Sequence, residues 1–221
     1  MKKNYSHISV LLDRTGSMES IRDDIIGGFN AFLEEQEKEP GVATLTLVQF
    51  DSQNPYEVIH DFKALADVPK LTRATYVPRA STPLLDAMGR AINDLESKIA
   101  AKAEEERPEK VIMVVITDGQ ENASREFRKD QIEKMIKART EKDGWQFVFL
   151  SADLAAVRDA MATGFHADTV LAFNKTAEGT RGAYHSLSNQ MSGFRSGKKK
   201  NLEFDEEDRK SDADLLKKKP N

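Results

Sequence analysis

Hydrophobic positions along this chain fall into two alternating patterns: short runs of strand length and longer stretches with helical spacing. The first run, Ile8-Ser9-Val10-Leu11-Leu12, stops at Asp13. Beyond it Met18, Ile21, Ile25, Phe29, Phe32 and Leu33 recur at steps of three and four. That spacing predicts a helix over Ser17 to Glu39 lying on a sheet. Gly27-Gly28 interrupts the pattern at about 1 kcal/mol per glycine, which is expected to be compensated by a close approach of helix to sheet. Pro40-Gly41 ends the helix.

Thr44 to Phe50 alternates and is rich in β-branched residues, and Tyr56 to Phe62 alternates again across the turn cluster Asp51-Ser52-Gln53-Asn54-Pro55. Together they predict a hairpin at a sheet edge. Residues 63–80 show little regularity. Ser81-Thr82-Pro83 then reads as a helix start, with a hydroxyl at the cap and proline in the first turn, followed by Leu84, Leu85, Met88, Ala91, Ile92, Leu95 and Ile99. The charged stretch Lys102 to Glu109 reads as a solvated helix end.

The unbroken apolar run Val111 to Ile116 marks a central parallel strand covered on both faces. It stops at Thr117-Asp118-Gly119. A helix carrying Ile132, Met135 and Ile136, a strand over Trp145 to Leu150, a short helix around Leu154 to Ala162, a strand over Thr169 to Phe173 and a helix with Ala183, Tyr184, Leu187 and Met191 complete the series. Strands alternating with helices predict an α/β fold: a doubly wound, mainly parallel sheet with one antiparallel edge strand and helices on both faces.

The 221 residues suit one domain, placed at 1–195, and a charged tail at 196–221. The tail holds Lys198-Lys199-Lys200, an acidic block from Glu203 to Asp208, and Lys217-Lys218-Lys219. Few apolar residues interrupt these charges, so the tail is expected to be disordered. A net charge of -4 argues against a nucleic-acid partner. The absence of cysteine excludes disulfides and thiolate metal sites. No run is long enough to span a bilayer, and Met1 to His7 shows no signal core, so a cytoplasmic protein without membrane association is expected.

Chemistry concentrates where strands end. Asp13-Arg14-Thr15-Gly16-Ser17 packs a carboxylate and two hydroxyls around a glycine turn, a set of hard oxygens suited to Mg²⁺. Alone, Thr15 and Ser17 read first as helix caps, the usual role of such hydroxyls. In a parallel sheet, however, the loops leaving strand ends share one face. Asp13 and Asp118 become neighbours if their strands pair, and Thr82 can join them.

In these three stretches the sequence resembles the von Willebrand factor A domain and its metal-ion-dependent adhesion site. That family has Asp-x-Ser-x-Ser after the first strand, a Thr before a central helix and an Asp ending the fourth strand. This chain has Asp13-Arg14-Thr15-Gly16-Ser17, with Thr15 in place of the common Ser, then Thr82 and Asp118. The resemblance implies that Thr15 and Ser17 bind an ion through their hydroxyls and Thr82 does so directly or through water. Asp13 and Asp118 would hold the site through waters and hydrogen bonds, or ligate directly. It implies Mg²⁺ or Mn²⁺ ahead of Ca²⁺, and a partner protein that offers an Asp or Glu to the ion's open position. Arg14, Tyr76, Arg79, Gln120, Glu121 and Asn122 are the candidates for the rim that contacts the partner. Ser52, Asn54, Ser151 and Asp153 rank below them.

The expected function is a non-enzymatic interaction module, with no catalytic residue assigned. The alternatives are a Mg²⁺-dependent phosphohydrolase and, from the family alone, an adaptor for an AAA-type ATPase. The first is weakened by Thr15, which stands where enzymes of the haloacid-dehalogenase type carry a second Asp. No phosphate-binding loop or dinucleotide fingerprint occurs, and His7, His60, His166 and His185 lack zinc spacing.

Overall fold

The structure, a computed structural model, describes residues 1–209. Its sheet has six strands: β1 (Lys2–Asp13), β2 (Val42–Asp51), β3 (Asn54–Ala64), β4 (Pro108–Thr117), β5 (Gln146–Ser151) and β6 (Val170–Ala172). They lie in the order β3-β2-β1-β4-β5-β6. β3 runs antiparallel at the edge and every other pairing is parallel. Four helices connect them, α1 (Arg22–Glu37), α2 (Leu84–Ala100), α3 (Lys129–Asp143) and α4 (Leu154–Ala162), and α5 (Ala177–Arg195) follows β6. Among the described residues no helix is long and apolar enough to cross a membrane.

The period of two along each strand sorts the core into two layers. Ile8, Val10 and Leu12 of β1, with Ile112, Val114 and Ile116 of β4, pack under α1 and α5. Leu11 of β1, with Val111, Met113 and Val115 of β4, faces α2, α3 and α4. Both faces are covered, which is why the central strands read as continuous apolar runs. β1 and β4 stay in register from Ser6 opposite Lys110 to Leu12 opposite Ile116, so their carboxyl ends finish side by side.

Three local expectations are revised. The helix expected from Ser17 begins instead as a 3₁₀ turn, Gly16–Ile21, before α1, because Met18 N–H closes a tight turn on Thr15 O at 3.0 Å. Gly28 owes its small size to α5 rather than to the sheet: a Cβ there would lie 2.2 Å from the Tyr184 ring. The segment read as a charged tail is in its first part packed. Leu202 and Phe204 are buried in the α1/α5 layer, where Leu202 N–H donates to Gln146 Oε1 and Phe204 N–H to Asp168 O. Their two side chains outweigh the surrounding charge because each finds a ready apolar site. The remainder, 210–221, lies outside the described residues.

His7 shows how completely β1 is enclosed. It is fully buried, stacks on Phe62 with ring centroids 3.8 Å apart, and bonds Thr44 Oγ1 through Nδ1 at 2.8 Å. Burial, aided by Lys102 and Lys98, pushes its pKa down to about 3. The unfolded chain therefore binds this proton first as pH falls below about 6.5, and the stability contributed by neutral His7 is lost from there towards pH 3. Urea unfolding should show the wild type losing about 1.4 kcal/mol more per pH unit than His7→Gln between roughly pH 6 and 4.

Candidate metal centre

The strand order reverses direction beside β1, and the crevice between the carboxyl ends of β1 and β4 is where a ligand site forms in such sheets. Asp13 closes β1 and is fully buried. Its Oδ1 accepts the Thr15 N–H at 2.7 Å and its Oδ2 accepts the hydroxyl of Thr117, the last residue of β4, at 2.6 Å. The carboxylate thus fastens the first turn of the Asp13–Ser17 loop to the neighbouring strand.

The hydroxyls are not spent on capping. Thr15 occupies the cap position of the 3₁₀ turn without a side-chain bond to it. A donor chain runs instead from Thr82 Oγ1 to Thr15 Oγ1 at 3.2 Å, across 3.3 Å to Ser17 Oγ, and from Ser17 Oγ to Asp118 Oδ1 at 2.6 Å. Thr82 is free to join because α2 takes its cap from elsewhere. Leu85 N–H donates to Glu121 Oε2 at 2.9 Å and Asp86 N–H to Ser124 Oγ at 3.0 Å. This corrects the expectation of a hydroxyl cap at Ser81-Thr82. Asn122 then clamps Thr82 by accepting its N–H at 2.8 Å and donating its own N–H to Thr82 O at 3.0 Å.

Asp13, Thr15, Thr82 and Asp118 are buried, while Ser17 is exposed at the mouth. Burial pushes the Asp13 carboxyl up to about 7; the hydrogen bonds from Thr117 and Thr15 oppose that rise and the charge of Asp118 adds to it. Asp118 Oδ2 is buried and in no hydrogen bond, with Lys175 Nζ 3.0 Å away but outside hydrogen-bonding geometry. Among the described residues no three histidine or acidic side chains gather at one point. A divalent ion would therefore be held mainly by hydroxyl oxygens here. Two carboxylates and three hydroxyls, with one buried carboxylate oxygen outside any hydrogen bond, fit a small hard cation.

Of the expected rim, two residues are corrected. Tyr76 is fully buried beneath the site, where its hydroxyl donates to Asp13 O at 2.6 Å. Arg14 is buried as well. Its Nε donates to Asp51 Oδ2 at 2.6 Å, its Nη1 reaches Gln49 at 3.3 Å, and it pairs with Glu57. A guanidinium so engaged cannot turn to a partner. Glu121 turns to the start of α2, Asn122 bonds Thr82 while staying exposed, and Gln120 lies at the surface near Asp153, 3.3 Å from Oδ2. Arg79 stays half-exposed while its Nε donates to Asp51 at 3.0 Å. Of the lower-ranked candidates, Ser52 ties the hairpin to Ser81 and Asp153 caps α4. Ser151 is buried, and Asn54 Oδ1 accepts the Tyr56 N–H at 3.4 Å.

Sequence reasoning missed Thr117, the Glu121 cap and Ala80. Ala80 takes φ 60°, at a cost of about 1–2 kcal/mol for a residue with a Cβ, and so aims its carbonyl at Gly16 N–H, 3.1 Å away. Only the Thr-Asp-Gly run hinted at the first. Because Arg14 is a buried tie, Arg14→Ala should lower stability by about 3 kcal/mol in urea unfolding, leaving Asp51 with the half-exposed Arg79 as its one cationic partner. A residue belonging to an open rim would change it by less than about 0.5 kcal/mol.

No family model matches the sequence, and no curated protein does. Solved structures do resemble the fold. One is proximal thread matrix protein 1 from the mussel byssus with a zinc-occupied MIDAS motif, at TM-score 0.58 and 13% identity over 85% of this chain and 46% of that one. A von Willebrand factor type A structure from Catenulispora acidiphila gives 0.59 and 11% over 86% and 43%. The manganese-loaded TRAP protein of Plasmodium vivax gives 0.57 and 12% over 79% and 70%. The chain thus spans less than half the length of the first two. These likenesses concern architecture, and by that measure this chain has the α/β fold of von Willebrand factor A domains.

Proposed function

We propose that this protein is a non-enzymatic, cytoplasmic interaction module that binds an acidic side chain of a partner protein through a divalent ion held at the ends of β1 and β4. The observation that carries the reading is the relay of hydroxyls from Thr82 through Thr15 and Ser17 to buried Asp118, whose Oδ2 remains without a hydrogen bond. Thr15, Ser17 and Thr82 would hold Mg²⁺ or Mn²⁺ through hydroxyl oxygens, and Asp13 and Asp118 would balance its charge. When bound, the ion supplies a positive charge that neutral hydroxyls do not cancel, and that charge attracts a carboxylate. The zinc and manganese carried by two neighbours of similar fold support a divalent ion without choosing among them.

The geometry favours binding over phosphoryl chemistry. Both oxygens of Asp13 are engaged by Thr15 and Thr117, so the carboxylate is held as a structural acceptor rather than aimed outward as a nucleophile. Asp118 likewise receives Ser17 on one oxygen and faces Lys175 with the other.

Calorimetric titration with Mg²⁺ or Mn²⁺ should show one site in the wild type and at least a hundredfold weaker binding in Asp13→Ala, checked for folding by circular dichroism. A folded Asp13→Ala that binds as the wild type does sinks the assignment. Since Asp13 holds a proton up to about pH 7, the ion must displace it, and affinity should weaken by about tenfold per pH unit as pH is lowered from 7 to 5. The same titration repeated across that range in buffers of different ionisation enthalpy should register release of up to one proton.

A further inference from the structure

Among the described residues, Lys175 is a cation that faces the centre. It lies in the turn between β6 and α5, and that turn is anchored at both ends. Phe173 N–H donates to Ser151 O at 2.9 Å, and Thr176 caps α5 by accepting the Gly179 N–H at 3.1 Å. Gly179 is packed so closely that a Cβ there would stand 2.5 Å from Asn174 O. From this fixed turn the half-exposed Lys175 side chain reaches inward to place Nζ 3.0 Å from Asp118 Oδ2, a carboxylate with no exposed surface. The other basic side chains close by are committed elsewhere, Arg14 and Arg79 both to Asp51. Asp153, the α4 cap, also feels the Lys175 charge.

Building on the metal-dependent reading above, we propose that Lys175 is a specificity-determining residue of the centre: its charge opposes a divalent ion bound alone and favours the ion bound together with a carboxylate. The argument is one of charge balance. Counted with both aspartates ionised, as in the ion-bound state, Asp13, Asp118 and the Lys175 ammonium sum to one negative charge. A divalent ion takes that sum to one positive charge, an unfavourable state at a buried carboxylate. A ligand carboxylate then brings it to zero. Without Lys175 the order inverts, since the ion alone neutralises the two aspartates and an added carboxylate leaves an excess negative charge. Lys175 therefore makes ion and acid bind as a couple, and the free energy of that coupling is reciprocal.

The test is Mn²⁺ titration of the full chain, with and without acetate as the carboxylate probe, in the wild type, Lys175→Met and Lys175→Arg. For Mn²⁺ alone, Lys175→Met should bind about tenfold more tightly than the wild type, the effect of removing one like charge at a partly screened site. Acetate should tighten Mn²⁺ binding in the wild type, and Lys175→Met should lose most of that gain. Lys175→Arg, which keeps the charge, should behave as the wild type does. A purely structural role for Lys175 would change stability without altering the acetate effect. Equal Mn²⁺ affinity in the wild type and Lys175→Met, or an equal acetate effect in both, overturns the proposal. A wild type that binds no Mn²⁺ overturns the functional reading and this inference with it. Wild-type binding with an indifferent Lys175→Met overturns the inference alone.

Discussion

A single buried carboxylate organises the functional end of this molecule. Asp13 sits at zero exposure between two parallel strands, and its two oxygens accept from a backbone N–H on its own loop and a hydroxyl on the neighbouring strand. Burying a charge is tolerable only with such compensation, and the upward displacement of its pKa shows that compensation is incomplete. Everything around it follows from that tension. Tyr76 buttresses the Asp13 carbonyl from below, Ala80 accepts a strained backbone to hold Gly16, and Glu121 relieves Thr82 of capping so that its hydroxyl can turn inward.

Much of this was legible in the sequence because two of its signals are local. Apolar runs such as Val111 to Ile116 announce strands covered on both faces, and each of the loop residues Asp13, Thr15, Ser17, Thr82 and Asp118 directly follows or precedes a patterned element. Once the strands are parallel, topology alone places Asp13 near Asp118. The edge position of β3 was equally open to reading, since Glu57, Asp61 and Lys63 recur at alternate positions along it.

What was not legible depends on which side chains a loop turns inward. Arg14 looks like a surface residue until Asp51, Glu57 and Gln49, all on β2 and β3, are brought around it by the hairpin. Tyr76 lies in a segment without periodicity, so no pattern could announce that it is fully buried. Gly28 answers to Tyr184, far away in sequence, and Leu202 and Phe204 are too few among charges to register as a packed segment. In each case the missing information was a partner distant along the chain.

Because Asp13 ends β1 and Asp118 directly follows β4, and the register of those two strands sets which residues meet, the site is also a gauge of assembly. Sliding β4 by one residue against β1 could put Thr117 in the place of Asp118 and Ile116 in that of Thr117, and would turn the inward members of that strand to the opposite layer. A mispaired chain would then present a hydroxyl where the centre needs a carboxylate. On the metal-dependent reading proposed above, competence to capture a cation would accordingly distinguish correctly threaded molecules from compact impostors, and the cation itself would favour the former by mass action.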